Sequence, residues 1–178
     1  MQTFCFLIRF SVRKVVMILE LTLPCNDVER AVQLYGRKVQ SLAFVYLKNR
    51  FDAEDAAQDA FLAYFQKAPL FLSAQKEKAW LMQVTVNRCK DMLRAKHREE
   101  LPLTEDISYL PKEESEVLEA VLSLEEIYRI PIHLHYYEGY SLKEIGKILG
   151  VPSGTVGSWL SRGREQLKRI LGGNEYGK

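Results

Sequence analysis

Residues 141–156 read SLKEIGKILGVPSGTV, and side-chain chemistry alone places two helices with a turn between them on this stretch. Ser141 and Glu144 have the spacing of a capping box, in which hydroxyl and carboxylate each accept a free backbone amide. Leu142, Ile145 and Leu149 follow as one apolar face, and Gly150 can take the left-handed turn that ends the helix. Pro152 and Ser153 open a second helix, whose inner face is expected to carry Val156, Leu160, Gly163, Leu167 and Ile170. Gly154, Ser158, Ser161, Arg162, Glu165 and Arg169 then point away from it. The pattern is that of a helix-turn-helix. Small residues at the start of its second helix permit close approach to base edges, and Arg164, Lys168 and Arg169 near the end suit phosphates.

Upstream, the same spacing rules predict more helices. Val28, Val32, Tyr35, Val39, Leu42 and Tyr46 recur at steps of four and three, one stripe of an amphipathic helix that Asn26 and Glu29 can cap. A second helix is expected to start at Asp52, with its side chain as the cap, and to run with Ala56, Ala60, Phe61 and Tyr64 inward until Pro69. Residues 68–76 read as a loop. A third helix over 76–98 puts Trp80, Leu81, Val84 and Met92 on one side and Gln83, Asn87, Lys90 and Arg94 on the other, a row of donors spaced to lie along a phosphate backbone. Between the third helix and the last third of the chain, 99–112 carries Pro102, Pro111 and four acids without a helical stripe, and reads as a linker. Beyond it, Val117, Val121, Leu124 and Tyr128 are in helical register. A further helix ends at Gly139, with Pro131 expected to kink it or to mark its first turn.

The net charge of the 178 residues is only +2, but segments 1–50, 51–66, 67–98, 99–126 and 127–178 carry +5, −4, +6, −9 and +4. Basic segments separated by a strongly acidic one suggest two polyanion sites on one chain, or two solvated faces. Three cysteines (Cys5, Cys25, Cys89) without a CxxC support neither a disulfide framework nor a zinc knuckle, and fit a reducing cytoplasm. His133 and His135 are two apart, hence on different helix faces, and no acid or cysteine is spaced to complete a metal site. No nucleophile with a base, nucleotide loop or carboxylate dyad of recognisable spacing appears, so neither a cofactor nor catalytic activity is expected. The stretch Phe4 to Leu23 is broken by Arg9, Arg13 and Lys14, which argues against membrane insertion. Residues 1–26 read as an N-terminal extension without ordered structure, and Met17 offers an alternative start.

In order and spacing, these segments resemble the extracytoplasmic-function group of the sigma-70 family, the RNA polymerase subunits that recognise bacterial promoters. The resemblance covers about residues 27–171. It is carried by DAEDAAQDAF at 52–61, by Ala79-Trp80-Leu81 with the row from Asn87 to Arg94, and by YYEGYS at 136–141 ahead of Gly154-Thr155-Val156. It implies an all-α fold of two small helical domains joined by an acidic linker: a region 2 domain at 27–98, the linker at 99–112 and a helix-turn-helix region 4 domain at 113–172. The second helix would dock on the clamp helices of the largest polymerase subunit through Asp55, Gln58 and Asp59. The third helix and the loop from Leu70 to Lys76 would open minus-10 DNA and hold a flipped base, with Gln83, Asn87, Lys90 and Arg94 as contacts and Trp80 in the core.

The last helix would read the minus-35 element with Ser153, Thr155, Ser158, Ser161, Arg162, Arg164 and Lys168. There the chain departs from the family pattern, since Gly157 and Trp159 flank Ser158 where Lys or Arg is usual, which removes two possible DNA contacts. Arg162 survives as the candidate for a two-pronged contact to guanine. Core polymerase, promoter DNA and the anti-sigma factor that such proteins often have are the implied partners. A stand-alone helix-turn-helix regulator is the alternative, but it has no need of an acidic docking helix and a basic melting helix. A helical adaptor that binds only proteins leaves the basic helix ends idle.

Overall fold

The structure, a computed structural model, describes residues 26–98 and 115–172. Residues 1–25 and the acidic linker at 99–112 lie outside the described residues. Among the described residues there are seven α-helices, one π-helical turn and no strand: α1 (Asn26–Leu47), α2 (Arg50–Lys67), α3 (Ala74–Arg98), α4 (Ser115–Ser123), α5 (Glu126–Ile132), the π turn (His133–Tyr137), α6 (Leu142–Leu149) and α7 (Ser153–Gly172).

The apolar stripe of α1 is the wall on which the first three helices assemble. Val28, Tyr35, Val39, Leu42 and Tyr46 are buried and Val32 half-buried. Against them α2 sets Ala53, Ala56, Ala57 and Ala60, whose small side chains let the helices approach closely, before Phe61 and Tyr64 widen the contact. The chain reverses between α1 and α2 at Lys48, a non-glycine residue in the left-handed region (φ 55). Asn49, and not Asp52, caps α2: its side chain accepts from the Asp52 N–H at 3.1 Å. The helix begins two residues earlier than its sequence suggests, which frees the Asp52 carboxylate to accept from Lys96 Nζ at 2.5 Å.

The loop after α2 is shorter than expected, 68–73, because the Ser73 hydroxyl accepts from the Lys76 N–H and starts α3 early. Buried Leu81, Met82, Val86 and Cys89 then pack α3 under α1 and α2. Val117, expected inward, is exposed, and the single helix expected over 117–128 is divided after Ser123 into α4 and α5. Pro131 does not begin α5 but lies inside it, and the chain widens just beyond it into the π turn, closed by Glu138 N–H to His133 O at 3.2 Å.

The capping box on α6 is formed, with Ser141 N–H donating to Glu144 Oε2 at 2.9 Å and Glu144 N–H to Ser141 Oγ at 3.4 Å. Gly150 ends the helix at φ 74, a conformation that favours glycine. Gly146 holds the turn close, since a Cβ there would sit 2.7 Å from Val151 O. Val156, Leu160 and Gly163 bury the inner side of α7 against α5 and α6. The two groups of helices, α1–α3 and α4–α7, also pack on each other, and the buried core is continuous across them.

Candidate nucleic-acid interface

On α7, Ser153, Ser158, Ser161, Arg162, Arg164 and Lys168 are exposed and Thr155 is half-buried. The Ser158 hydroxyl donates to Gly154 O at 3.1 Å, one helical turn back. Arg164 leans sideways, with Nη1 3.5 Å from the Tyr136 hydroxyl of the π turn, while Arg169 pairs with Glu165 at 3.6 Å. Gly157 is half-buried. A Cβ at this position would lie 3.3 Å from Leu142 Cδ2, so residue 157 also neighbours α6. Trp159 is half-buried on the other flank of α7.

On α3, Gln83, Asn87 and Arg94 are exposed, and Arg94 lies 3.4 Å from Asp91. Lys90 is half-buried. Its Nζ donates to Leu149 O, at the end of α6, at 3.4 Å. On the acidic side of α2, Asp55 is exposed, Gln58 and Asp59 are half-buried, and Asp59 Oδ2 accepts from Arg88 Nε of α3 at 2.6 Å. Partial burial, then repulsion from Asp59, Asp52 and Glu54, raises the Asp55 carboxyl above its usual range.

The loop between α2 and α3 closes over an open cavity of about 500 Å³ whose lining includes Arg30, Tyr64, Phe65, Leu70, Phe71 and Glu77. Tyr64 and Phe71 stack with centroids 6.1 Å apart, and Trp80 meets both edge-on. Beneath them the buried Glu77 accepts from Arg30 Nη2 at 2.5 Å, Tyr64 OH at 2.5 Å and Tyr35 OH at 3.1 Å. Burial pushes the Glu77 carboxyl up, but these hydrogen bonds outweigh it and hold the group below the usual carboxylate range. The result is a fixed anion that pins the Tyr64 ring. Sequence reasoning missed this network, because its members are as much as 47 positions apart. Asn87 does not line the cavity.

An acidic helix, a basic helix beside a loop cavity and a helix-turn-helix, in that order on one chain, define a class of transcription protein. Residues 31–99 match the family described as sigma-70 region 2, and residues 108–167 match sigma-70, region 4. The chain is 31% identical to the ECF RNA polymerase sigma factor SigW of Bacillus subtilis over 79% of its length and 86% of that protein. It is 33% identical to SigM of Mycobacterium tuberculosis, over 78% of this chain and 74% of that one. The fold is similar to the sigma factor RpoE in its complex with the anti-sigma factor NepR from Bartonella quintana (TM-score 0.70, 23% identity, 85% of this chain and 99% of that one). It is also similar to CnrH in complex with the cytosolic domain of CnrY (TM-score 0.62, 20% identity, 93% of this chain and 97% of that one). The chain belongs to the sigma-70 family, in its extracytoplasmic-function group. No helix among the described residues is long and apolar enough to cross a membrane.

Proposed function

We propose that this chain joins core RNA polymerase in the cytoplasm, directs it to particular promoters and helps open the DNA there, with no catalytic activity of its own. What supports this reading is that an acidic row on α2 and two polar, basic rows on α3 and α7 lie exposed or half-buried on three different helices. Asp55, Gln58 and Asp59 on α2 offer carboxylates and an amide to a basic partner, the clamp helices of the largest polymerase subunit. Gln83, Asn87 and Arg94, with Lys90 once it is released from Leu149, supply base and phosphate contacts for an opened minus-10 strand. The α7 row, Ser153, Thr155, Ser158, Ser161, Arg162, Arg164 and Lys168, enters the major groove of the minus-35 element. The domain limits follow as 27–98 and 113–172, joined by the acidic segment 99–112. An anti-sigma factor, such as the one bound to RpoE in the neighbouring complex, is the expected regulator.

Transcription in vitro with core polymerase on genomic fragments tests the reading. Added chain should yield defined start sites that core polymerase alone lacks. Tight sequence-specific binding by the isolated chain, with no polymerase-dependent starts, would favour the stand-alone regulator.

A further inference from the structure

Glu77 lies in the first turn of α3, beside the root of the 68–73 loop, and none of the proposed DNA contacts uses it. It is buried, as are Tyr35 and Tyr64. Arg30 of α1 donates to both carboxylate oxygens, Nη2 to Oε1 at 2.5 Å and Nη1 to Oε2 at 3.2 Å, which makes the contact a two-pronged fork. Tyr64, in the last turn of α2, donates to Oε1 at 2.5 Å and so fixes the entry to the loop. The Tyr35 hydroxyl lies 3.1 Å from Oε2 and 3.3 Å from the carbonyl of Ala74, the first residue of α3, and so fixes the exit. Both ends of a short loop are thereby tied to one carboxylate. Stability alone does not account for such a network, because apolar side chains of similar volume often replace a buried ion pair without loss. What the pair adds is a preference for one arrangement over others. That arrangement shows at the loop tip, where Leu70 is fully exposed and Leu72 largely so, although both line an open cavity that Phe65 and Phe71 also line.

We infer that Glu77 is a positioning residue for DNA opening: through Arg30, Tyr35 and Tyr64 it holds the 68–73 loop away from its own cavity, so that the cavity and the two outward leucines are in place before an unpaired base arrives. The inference rests on the reading of this loop as the place where minus-10 DNA is opened. Turned inward, Leu70 and Leu72 would bury apolar surface against Phe65 and Phe71, so a loop with free roots is drawn to collapse. Time spent collapsed is lost to base capture, and capture weakens in proportion to the fraction of chains in that state. Glu77 itself touches no DNA in this scheme and acts only through the loop.

The test uses the full chain with core polymerase. Arg30→Met with Glu77→Met replaces the fork by unbranched apolar side chains and leaves the net charge unchanged. Tyr64→Phe removes one hydrogen bond to Glu77 and keeps the ring, and it carries the test alone if circular dichroism shows that the double variant does not fold. Val39→Ala, in the buried face of α1 and away from the loop, serves as a variant weakened in its core only. On duplex promoter, permanganate reactivity of thymines near the start site should rise about tenfold more slowly in the double variant and about threefold more slowly in Tyr64→Phe. Protection of the minus-35 element should match the parent in both, and a pre-melted bubble should restore most of their transcription. Val39→Ala should open duplex at the parental rate. Parental opening by the folded Glu77-network variants overturns the proposal, as does an equal deficit in Val39→Ala or a deficit that the bubble does not relieve. A parent chain that opens no promoter with core polymerase overturns the proposed function and the positioning role together, whereas a parent and variants that open equally well remove the positioning role alone.

Discussion

The guanidinium of Arg129 donates through Nε to the carbonyl of Val45 at 2.6 Å, across 84 positions of sequence. Its Nη2 reaches Tyr46 O at 3.2 Å and its Nη1 reaches Leu124 O at 2.7 Å, so one buried fork satisfies carbonyls at the ends of both α1 and α4. A lysine cannot serve three diverging acceptors from one nitrogen. Arg129→Lys is expected to cost about 2–3 kcal/mol in urea unfolding, from hydrogen bonds lost by buried carbonyls. A loss below about 0.5 kcal/mol would show that water replaces the fork without penalty.

His133 gives the stability a dependence on mildly acidic pH. The ring is buried, stacks on Tyr137, and its Nε2 has no hydrogen-bond partner. Burial lowers its pKa from 6.5 to about 4, with Glu138 pulling it up and Lys38 and Lys78 pushing it down. Because the folded value lies below the unfolded one, the unfolded chain binds the extra proton first, and stability falls as pH drops from 6.5 towards 4. Between pH 7 and pH 5 this group should remove about 2 kcal/mol. His133→Leu should flatten that slope in denaturant titrations at the two pH values, and an equally steep slope in the variant would assign the effect to another group.

Much of this was readable in the sequence where the determinant is local. The α1 stripe, the Ser141–Glu144 box, the Gly150 turn and the outward row of α7 all follow from spacings of a few residues. What escaped depends on partners far along the chain. Asp52 looked like a cap because nothing near it announced Lys96. Glu77 became visible only when folding brought Arg30, Tyr35 and Tyr64 to it, and Gly157 neighbours α6 only because Leu142 is packed there. The approach of α6 to Lys90 had no sequence signal, since no local spacing encodes packing between helices 59 positions apart.

Two glycines of the helix-turn-helix should respond differently to alanine. At Gly146 the added methyl meets a backbone oxygen, Val151 O, at 2.7 Å, so the turn itself must move. At Gly157 it meets only Leu142 Cδ2 at 3.3 Å, the tip of a partly exposed side chain that can rotate away. Gly146→Ala is expected to destabilise by about 1–3 kcal/mol. Gly157→Ala should stay within about 0.5 kcal/mol of the parent or gain slightly from helix propensity. Thermal melts of both variants check this, and equal losses would place residue 157 in a rigid contact.

Charge reversal on α2 tests polymerase docking, and its two acids should not behave alike. Asp59 already holds Arg88, so Asp59→Lys breaks a surface pair worth roughly 0–1 kcal/mol besides altering the face. Asp55 is exposed and crowded by other acids. Asp55→Lys should therefore leave the melting temperature nearly unchanged while lowering co-purification with core polymerase about tenfold, by setting like charges against each other. Undiminished recovery of the folded variant would move the docking face off α2.

The two DNA faces should fail at different steps of initiation. Arg162 stands exposed on the outward row of α7, and if its fork takes a guanine, Arg162→Ala should cost about 1–3 kcal/mol and relax sequence preference upstream. Asn87 is exposed on α3 and does not line the loop cavity. Asn87→Ala should leave upstream binding intact and lose permanganate reactivity of unpaired thymines near the start site, because a captured single-stranded base needs hydrogen-bond partners that paired DNA does not. A template with a pre-melted bubble removes the opening step. On it the Asn87 variant should recover most of its transcription while the Arg162 variant stays impaired, since its deficit lies in finding the promoter. Equal rescue of both, or of neither, would mean that α3 and α7 act as one recognition surface.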